Sequence, residues 1–442
     1  MKASKAPIKS GLFFYLRPMN LEQLHQLFLA HPTICTDTRK ISKDCLFFAL
    51  KGPNFNGNEF ADRALENGAA YALVDEEKFN TSEKHILVED VLTTLQKLST
   101  YHRKQSKAKV VSLTGSNGKT TSKELIHSVL SQSYNTIATL GNLNNHIGVP
   151  LTLLSITNET EIAIVEMGAN HQKEIDFLCG IAQPDYGYIT NFGKAHLEGF
   201  GGIEGVIKGK SELYDHLIEN NKHIFMNADD PIQLEKLGSY VKKIGYSTEN
   251  PQYFNINYVD ADPFVQFTFE GLKVKTQLIG RYNFTNCCAA VVIGKYFNVP
   301  TAKIKAALES YQPKNNRSQI IEKNGLEIIL DAYNANPSSM KVAIENLKGM
   351  QSDFKTLILG DMFELGEDAK KEHQGIVDLA TSLGFSNVFL VGENFSRTQT
   401  DFHQFDSYDS FESYLKGNVP RKGTVLIKGS RGMALERTLD LF

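Results

Sequence analysis

The sequence has no excess of positive charge. Its 47 Lys and Arg face 50 Asp and Glu, a formal balance of -3, so the composition offers no electrostatic footprint for nucleic acid. Cysteines are few and wrongly spaced for a metal or redox site. Cys35, Cys45, Cys179, Cys287 and Cys288 form no C-x-x-C pair, and an odd count in a long chain speaks against a disulfide framework, so reduced thiols in a cytoplasmic protein are expected. No apolar run is long enough to span a bilayer. Lys2, Lys5 and Lys9 precede an apolar stretch from Leu12 to Leu16, but Arg17 ends it before it reaches the length of a signal-peptide core. Internal repeats and low-complexity tracts are absent too. What remains is the composition of a soluble globular protein, and 442 residues exceed what one hydrophobic core serves. Three domains are expected, at 1–100, 101–311 and 312–442.

The first hundred residues alternate apolar runs, Cys45 to Leu50 and Ala70 to Val74, with a helical pattern at Glu59 to Asn67, as a small α/β unit does. The polar, cationic stretch from Tyr101 to Lys109 then reads as a linker or a solvated helix end. From Val110 the pattern becomes strand, glycine turn, helix. Further apolar runs at Ile162 to Val165, Tyr186 to Thr190 and His223 to Met226 alternate with helical or loop segments, which predicts a central parallel sheet. Two strand-like runs around Glu270-Gly271 predict a hairpin. A last unit begins near Gln312-Pro313, with strands at Ile328 to Leu330, Thr356 to Leu359, Val388 to Val391 and Thr424 to Ile427, so a second doubly wound, Rossmann-like sheet is expected.

Gly115-Ser-Asn-Gly118-Lys119-Thr120 stands between a buried strand and a helix, where a phosphate loop must stand. Glycines let backbone N–H groups curl around phosphate oxygens, the helix start adds a favourable dipole, Lys119 a point charge, and a hydroxyl a ligand for magnesium. Only two residues separate the glycines, against four in the common motif. The one Asn-Lys pair, Asn221-Lys222, continues as His-Ile rather than as the N-K-x-D of guanine-nucleotide enzymes, so ATP is the expected nucleotide.

The short loop from Thr114 to Thr121 resembles that of the Mur ligase family and its relative folylpolyglutamate synthase, which make amide bonds through an acyl phosphate. Further segments carry the likeness: Gly141-Asn-Leu-Asn-Asn-His-Ile-Gly-Val-Pro150, Glu166-Met-Gly-Ala-Asn-His171, Ala195-His-Leu-Glu-Gly-Phe200, Asp331-Ala-Tyr-Asn-Ala-Asn-Pro337 and Leu359-Gly-Asp-Met-Phe-Glu-Leu-Gly366. Within the family they are similar to the branch that adds D-alanyl-D-alanine to UDP-N-acetylmuramoyl-tripeptide, and the likeness runs from about Asp37 to Arg431. The Asp-Asn-Pro-Arg motif of the diaminopimelate-adding branch is absent. The resemblance implies a small N-terminal α/β unit that binds the UDP substrate, a central P-loop ATPase domain and a C-terminal Rossmann-like domain. A sister ligase that adds a single amino acid, or a folylpolyglutamate-synthase-like one, is the alternative.

The site residues follow from the same likeness. Gly115, Ser116, Asn117, Gly118, Lys119, Thr120 and Thr121 would cradle ATP, with Lys119 on the β- and γ-phosphates. Thr120 and Glu166 would hold one Mg²⁺, and His196 would serve a second. Lys210, four residues before Tyr214, matches the lysine that the family carbamylates with CO₂ to make a metal ligand. Carbamylation needs a neutral amine, hence a depressed pKa. Asn283 and Asn286 would lie near adenine, with Tyr282 in place of the family's usual histidine. Asn145 would approach the phosphates, Arg317 the γ-phosphate and Asp331 the ribose. Thr38 and Arg39, with Thr38 replacing the more usual serine, would bind the UDP moiety. His146, His171 and His373 lie in matching segments without an implied role, as does Lys428-Gly-Ser-Arg431. A monomer with no nucleic-acid or membrane partner is expected.

Overall fold

The computed structural model describes residues 19–313 and 316–442. Lys2, Lys5, Lys9 and the run from Leu12 to Arg17 lie outside the described residues. Two compact units form, one from the residues up to Gln105 with Leu153–Ser155, the other from Ser106–Thr152 and Ile156–Phe442.

The first unit holds a four-stranded parallel sheet in the order Ile34–Cys35, Leu46–Phe48, Tyr71–Val74, His85–Leu87. Cys45, Phe47, Ala49, Ala72 and Val74 form its core with Ala61 and Ala64 of the short helix Ala61–Glu66. Helix Leu21–Ala30 starts at a capping box, in which Asn20 and Gln23 satisfy each other's backbone N–H groups. Of the cationic stretch from Tyr101 to Lys109, the first part is a helix end, the last turn of helix Val91–Gln105, where His102 and Arg103 are buried rather than solvated. Residues 106–108 connect it to strand Lys109–Thr114 at the division between the two units. His102 Nδ1 lies 3.0 Å from His25 Nε2 of the first helix, a partner that local composition does not reveal.

The second unit contains two sheets. Seven parallel strands form the larger, in the order Phe254–Asn255, Lys243–Ser247, His223–Asn227, Tyr186–Ile189, Lys109–Thr114, Ile162–Glu166, Thr136–Ala138. Tyr188 packs in a core with Leu125 and Ile126 of helix Lys119–Leu130 and Cys288 and Val291 of helix Tyr282–Tyr296. Its neighbour Gly187 points the other way, as strand alternation requires, and a Cβ there would lie 2.3 Å from Leu217 of helix Ile203–Glu219. Helices thus cover both faces. The expected hairpin is part of a three-stranded antiparallel meander, Asn257–Asp260, Phe264–Phe269, Leu272–Ile279. Glu270 (φ 46°) and Gly271 (φ 77°) both turn left-handed, as a two-residue hairpin loop demands.

In the smaller sheet the four expected strands lie side by side, in the order Leu326–Asp331, Gly423–Lys428, Lys355–Gly360, Asn387–Val391. Two further edges lie beyond the expected ones: His403–Phe405, and the antiparallel Gln319–Lys323 that makes the sheet mixed. After Asn387–Val391 only a 3-10 turn, Phe395–Arg397, intervenes before the next strand, in place of the crossover helix that a doubly wound sheet implies.

Helix Ile203–Glu219 carries Lys210, and its first turn is seated by a close approach. A Cβ at Gly205 would stand 1.8 Å from the Phe200 carbonyl oxygen, a backbone atom without a rotamer to move. We predict that Gly205→Ala lowers stability by about 1–3 kcal/mol, read as a fall in the urea midpoint at unchanged m-value.

Candidate functional site

Strand Lys109–Thr114 pairs with Ile162–Glu166 on one side, Leu113 opposite Glu166, and with Tyr186–Ile189 on the other, Thr114 opposite Ile189. Their carboxyl ends open into one cavity of about 710 Å³, where ligands of parallel sheets collect. The chain leaves Thr114 through Gly115 (φ 143°) and enters helix Lys119–Leu130 through Gly118 (φ 77°). A Cβ at Gly115 would lie 1.9 Å from Thr190 Oγ1, and one at Gly118 2.5 Å from Asn286 Oδ1, so both positions demand glycine. No side chain caps this helix, which leaves its first-turn N–H groups as donors for an anion.

Thr190–Gly193 braces the loop from the neighbouring strand end. Asn117 N–H donates to Asn191 Oδ1 (3.0 Å), while the Thr190 hydroxyl (2.6 Å) and the Asn191 amide (3.0 Å) donate to the Asn117 carbonyl. The Ser116 hydroxyl donates to the Gly193 carbonyl at 2.8 Å. Lys119 Nζ donates to the carbonyls of Gly115 (2.8 Å) and Ser116 (3.2 Å). Burial pushes its pKa down, Glu166 opposes that shift and Arg317 adds to it.

Glu166 is 1% exposed. Its Oε1 accepts from the Thr120 hydroxyl (3.2 Å) and the Asn144 amide (2.8 Å), and its backbone N–H donates to Thr139 Oγ1 (3.0 Å). Its Oε2 has no hydrogen-bond partner among the described residues. Lys123 Nζ stands 3.9 Å from that oxygen but donates to the Thr139 carbonyl at 2.7 Å. A buried carboxylate oxygen left open beside a threonine hydroxyl suits a hard cation. Among the described residues no three His, Cys, Asp or Glu gather to enclose an ion. Such a donor set matches Mg²⁺, which leans on one or two carboxylates, substrate phosphates and water.

The cavity wall also includes His196, Asn145, Asn283, Asn286, Arg317, Tyr282 and Asp331, besides the loop from Ser116 to Thr121. His196 is left-handed (φ 54°), and its Nδ1 contacts the Glu364 carboxylate, whose pKa this neighbour lowers. Arg317 stacks over the Tyr333 ring at 3.6 Å. Asp331 accepts from Lys428 Nζ (2.6 Å) and from the Ser318 N–H (3.1 Å), which gives the buried Lys428 a role its motif did not disclose. Tyr282 shares a 2.6 Å hydrogen bond with the Ser318 hydroxyl. Asn286 accepts from the Ser122 hydroxyl and donates to Asn283 Oδ1, and the Asn283 amide donates to the Ile279 carbonyl. The pair therefore ties helix Tyr282–Tyr296 to the first turn of helix Lys119–Leu130.

Other residues singled out in the sequence make contacts of their own. Asn145 spends its Oδ1 on the N–H groups of Ile147 and Gly148, and its neighbour Asn144 is the one that reaches Glu166. Lys210 does not line the cavity. It is 1% exposed, donates to the Ala169 carbonyl behind the wall (3.0 Å) and lies 4.9 Å over the Phe200 ring. Burial, with Lys119 adding repulsion, holds its pKa well below 10.5. His373 is a structural residue of the smaller sheet, its Nε2 accepting from the Met362 N–H and its Nδ1 donating to the Ala369 carbonyl. His146 and His171 are exposed. In the first unit, Thr38 opens a 3-10 turn and Arg39 forks onto Asp37 at 2.9 and 2.8 Å, which holds the Asp37 carboxyl down at about 2.

Asn336 and Glu364 lie in segments that carry the family likeness, and Ser338 just beyond one, but no role follows for any of them from sequence. The Asn336 amide donates to Asn117 Oδ1 at 2.7 Å, and the Ser338 hydroxyl accepts from the Lys194 N–H at 2.9 Å. The capping box of Asn336 with Ser339 marks the start of helix Pro337–Gly349 in sequence, but not what it touches.

Gly118→Ala forces a left-handed alanine against Asn286 and is expected to weaken ADP binding about tenfold or more, measured by calorimetric titration.

Three family descriptions match consecutive stretches: "Mur ligase family, catalytic domain" at 33–110, "Mur ligase middle domain" at 113–294 and "Mur ligase, glutamate ligase domain" at 316–431. The chain is 36% identical to the UDP-N-acetylmuramoyl-tripeptide–D-alanyl-D-alanine ligase of Bacillus subtilis (strain 168), over 91% of each protein. It is 35% identical to the ligase of that name from Escherichia coli (strain K12), over 92% of each. Among solved structures it is similar to MurF from Acinetobacter baumannii, with a TM-score of 0.82 at 30% identity, covering 94% of this chain and 97% of that one. The MurF ligase of Thermotoga maritima in complex with ADP matches with a TM-score of 0.82 at 27% identity, at the same coverage.

Proposed function

The chain belongs to the Mur ligase family, and we propose that it joins D-alanyl-D-alanine to UDP-N-acetylmuramoyl-tripeptide, with ATP consumed to ADP and phosphate, in peptidoglycan precursor synthesis. The observation that carries this reading is convergence. Lys119, Thr120 and Glu166 from the larger sheet and Arg317 and Asp331 from the smaller one line a single cavity.

A carboxylate is a poor electrophile, so the tripeptide carboxylate first attacks the γ-phosphorus of ATP. The bond to the bridging oxygen breaks, ADP leaves and an acyl phosphate remains. The dipeptide amine then attacks the acyl carbon, loses a proton and expels phosphate. Two anions must meet in the first step. Lys119 and the uncapped helix start would take the β- and γ-phosphates, and Arg317 would approach the γ-phosphate from the other sheet. Asp331, held by Lys428, would receive the ribose hydroxyls. Bound Mg²⁺ would draw charge from the phosphates. Thr120 and Glu166 would hold one ion, and His196, with Lys210 as its carbamate, a second.

The dry surroundings of Lys210 support that carbamate. Its neutral amine would attack CO₂, forming the C–N bond and releasing a proton. In the first unit Thr38 and Arg39 would bind the UDP moiety. Domain limits near 100 and 311 are the division we adopt. A monomer in the cytoplasm is the state we adopt, the location supported by five buried, unpaired cysteines. Among the described residues no helix is long and apolar enough to cross a membrane.

A coupled phosphate-release assay tests the reaction. With UDP-N-acetylmuramoyl-tripeptide and ATP, release should rise sharply on adding D-alanyl-D-alanine and stay flat with glutamate, lysine or diaminopimelate. Release independent of any amine would remove the ligase reading.

Lys210→Ala should lose most activity and regain part of it with acetate, and full activity in that variant would refute the carbamate. Because the folded-state pKa of Lys210 is depressed, raising pH increases the neutral amine. At equal dissolved CO₂, CO₂-stripped enzyme should therefore recover at least as fast at pH 8.5 as at pH 7, as read by NMR with isotope-labelled CO₂.

A further inference from the structure

The segment that braces the phosphate loop continues straight into the smaller sheet's territory. Gly193 is packed so closely that a Cβ would lie 3.1 Å from Asn117 Nδ2 and 3.2 Å from Ser338 Oγ. At the next residue the backbone N–H donates to Ser338, and the ammonium forms a 2.5 Å ion pair with Glu372 of helix Ala369–Ser382. Two residues on, His196 contacts Glu364, and the Glu198 N–H donates to the Glu364 carbonyl at 3.3 Å. The Glu372 side chain is only 12% exposed, whereas Lys194 is 47% exposed. The ammonium therefore reaches from solvent into a partly desolvated carboxylate, a setting where an ion pair outweighs an ordinary surface one.

We propose that Lys194 and Glu372 are a positioning pair for the ligase reaction. Their ion pair seats Gly193 to His196 against the smaller sheet, so that Asn117 and His196 on one wall face Arg317 and Asp331 on the other. Neither residue lines the cavity, and the pair acts through the groups that do. This role rests on the ligase reading above, and wild-type amine-dependent phosphate release is measured first, so failure of that reading is seen separately.

The test is a charge exchange. Lys194→Glu and Glu372→Lys each put like charges face to face and should raise half-saturating ATP about tenfold, while the exchanged double variant should return within about threefold of wild type. A purely structural ion pair would move the melting temperature and leave half-saturating ATP and ADP affinity near wild type in the folded protein, so the positioning role is read from ATP and ADP values that shift in the single variants and return on exchange. Melting temperatures of all three variants, and ADP binding by titration, are measured beside the kinetics. A double variant no better than the poorer single variant, or single variants indistinguishable from wild type, would overturn the assignment. If either single variant fails to fold, Lys194→Met and Glu372→Gln replace the reversed charges. Their effects on half-saturating ATP should then not multiply when combined, and multiplication would equally overturn the pairing.

Discussion

The close approach of Gly115 to Thr190 is the constraint on which the cavity depends. Adjacent parallel strands end in register, so their two exit loops emerge side by side, and only a residue without a Cβ lets them touch. Fixing the backbone of a residue costs about 1–2 kcal/mol, and glycine loses more than most. A four-residue glycine-bearing loop left alone would not hold one shape. The bonds from Thr190, Asn191 and Gly193, at about 1 kcal/mol net each, are of the size needed to offset that entropy. They also consume the loop's groups on one side, so the uncapped helix start remains for the cavity.

Charge around the cavity is divided by the same packing. Lys123 and Lys428 are buried ammoniums committed to carbonyls and carboxylates of the wall, near Glu166 and on Asp331. Lys119 and Arg317 are differently held. One rests on carbonyls of its own loop and the other on the face of Tyr333. Neither is locked to an acid, so both are available to phosphate oxygens, for which a point charge and a planar fork are complementary partners.

How much of this was legible in sequence follows from the range of each interaction. The phosphate loop, its helix and the strand leading to Glu166 were readable because glycine spacing and apolar alternation are local. The four inner strands of the smaller sheet were readable for the same reason. Its antiparallel edge at Gln319–Lys323 was not, since an edge strand buries little and its pattern is weak. Asn144, Lys123, Glu364 and Asn336 escaped because each earns its place through a contact far along the chain, as Asn336 does with Asn117. Lys210 illustrates the opposite limit. Motif spacing selected it, but only its burial behind Ala169 explains why the pKa of an amine there is lowered.

Saturation of hydrogen bonding separates polar residues that build the protein from those that work in it. His373 uses both ring nitrogens, and the buried Asp361 beside it accepts from the Asn394 and Phe395 N–H groups and the Asn394 amide. Nothing is left for a ligand, and both are fixtures of the smaller sheet. Glu166 is as deeply buried, yet one of its charged oxygens has no donor. Lys119 is bonded only to carbonyls that phosphate oxygens can replace. A fold selected for stability alone would pair that oxygen or remove the charge. Retaining it beside an open helix start and a threonine hydroxyl is what the proposed metal-bound nucleotide would require.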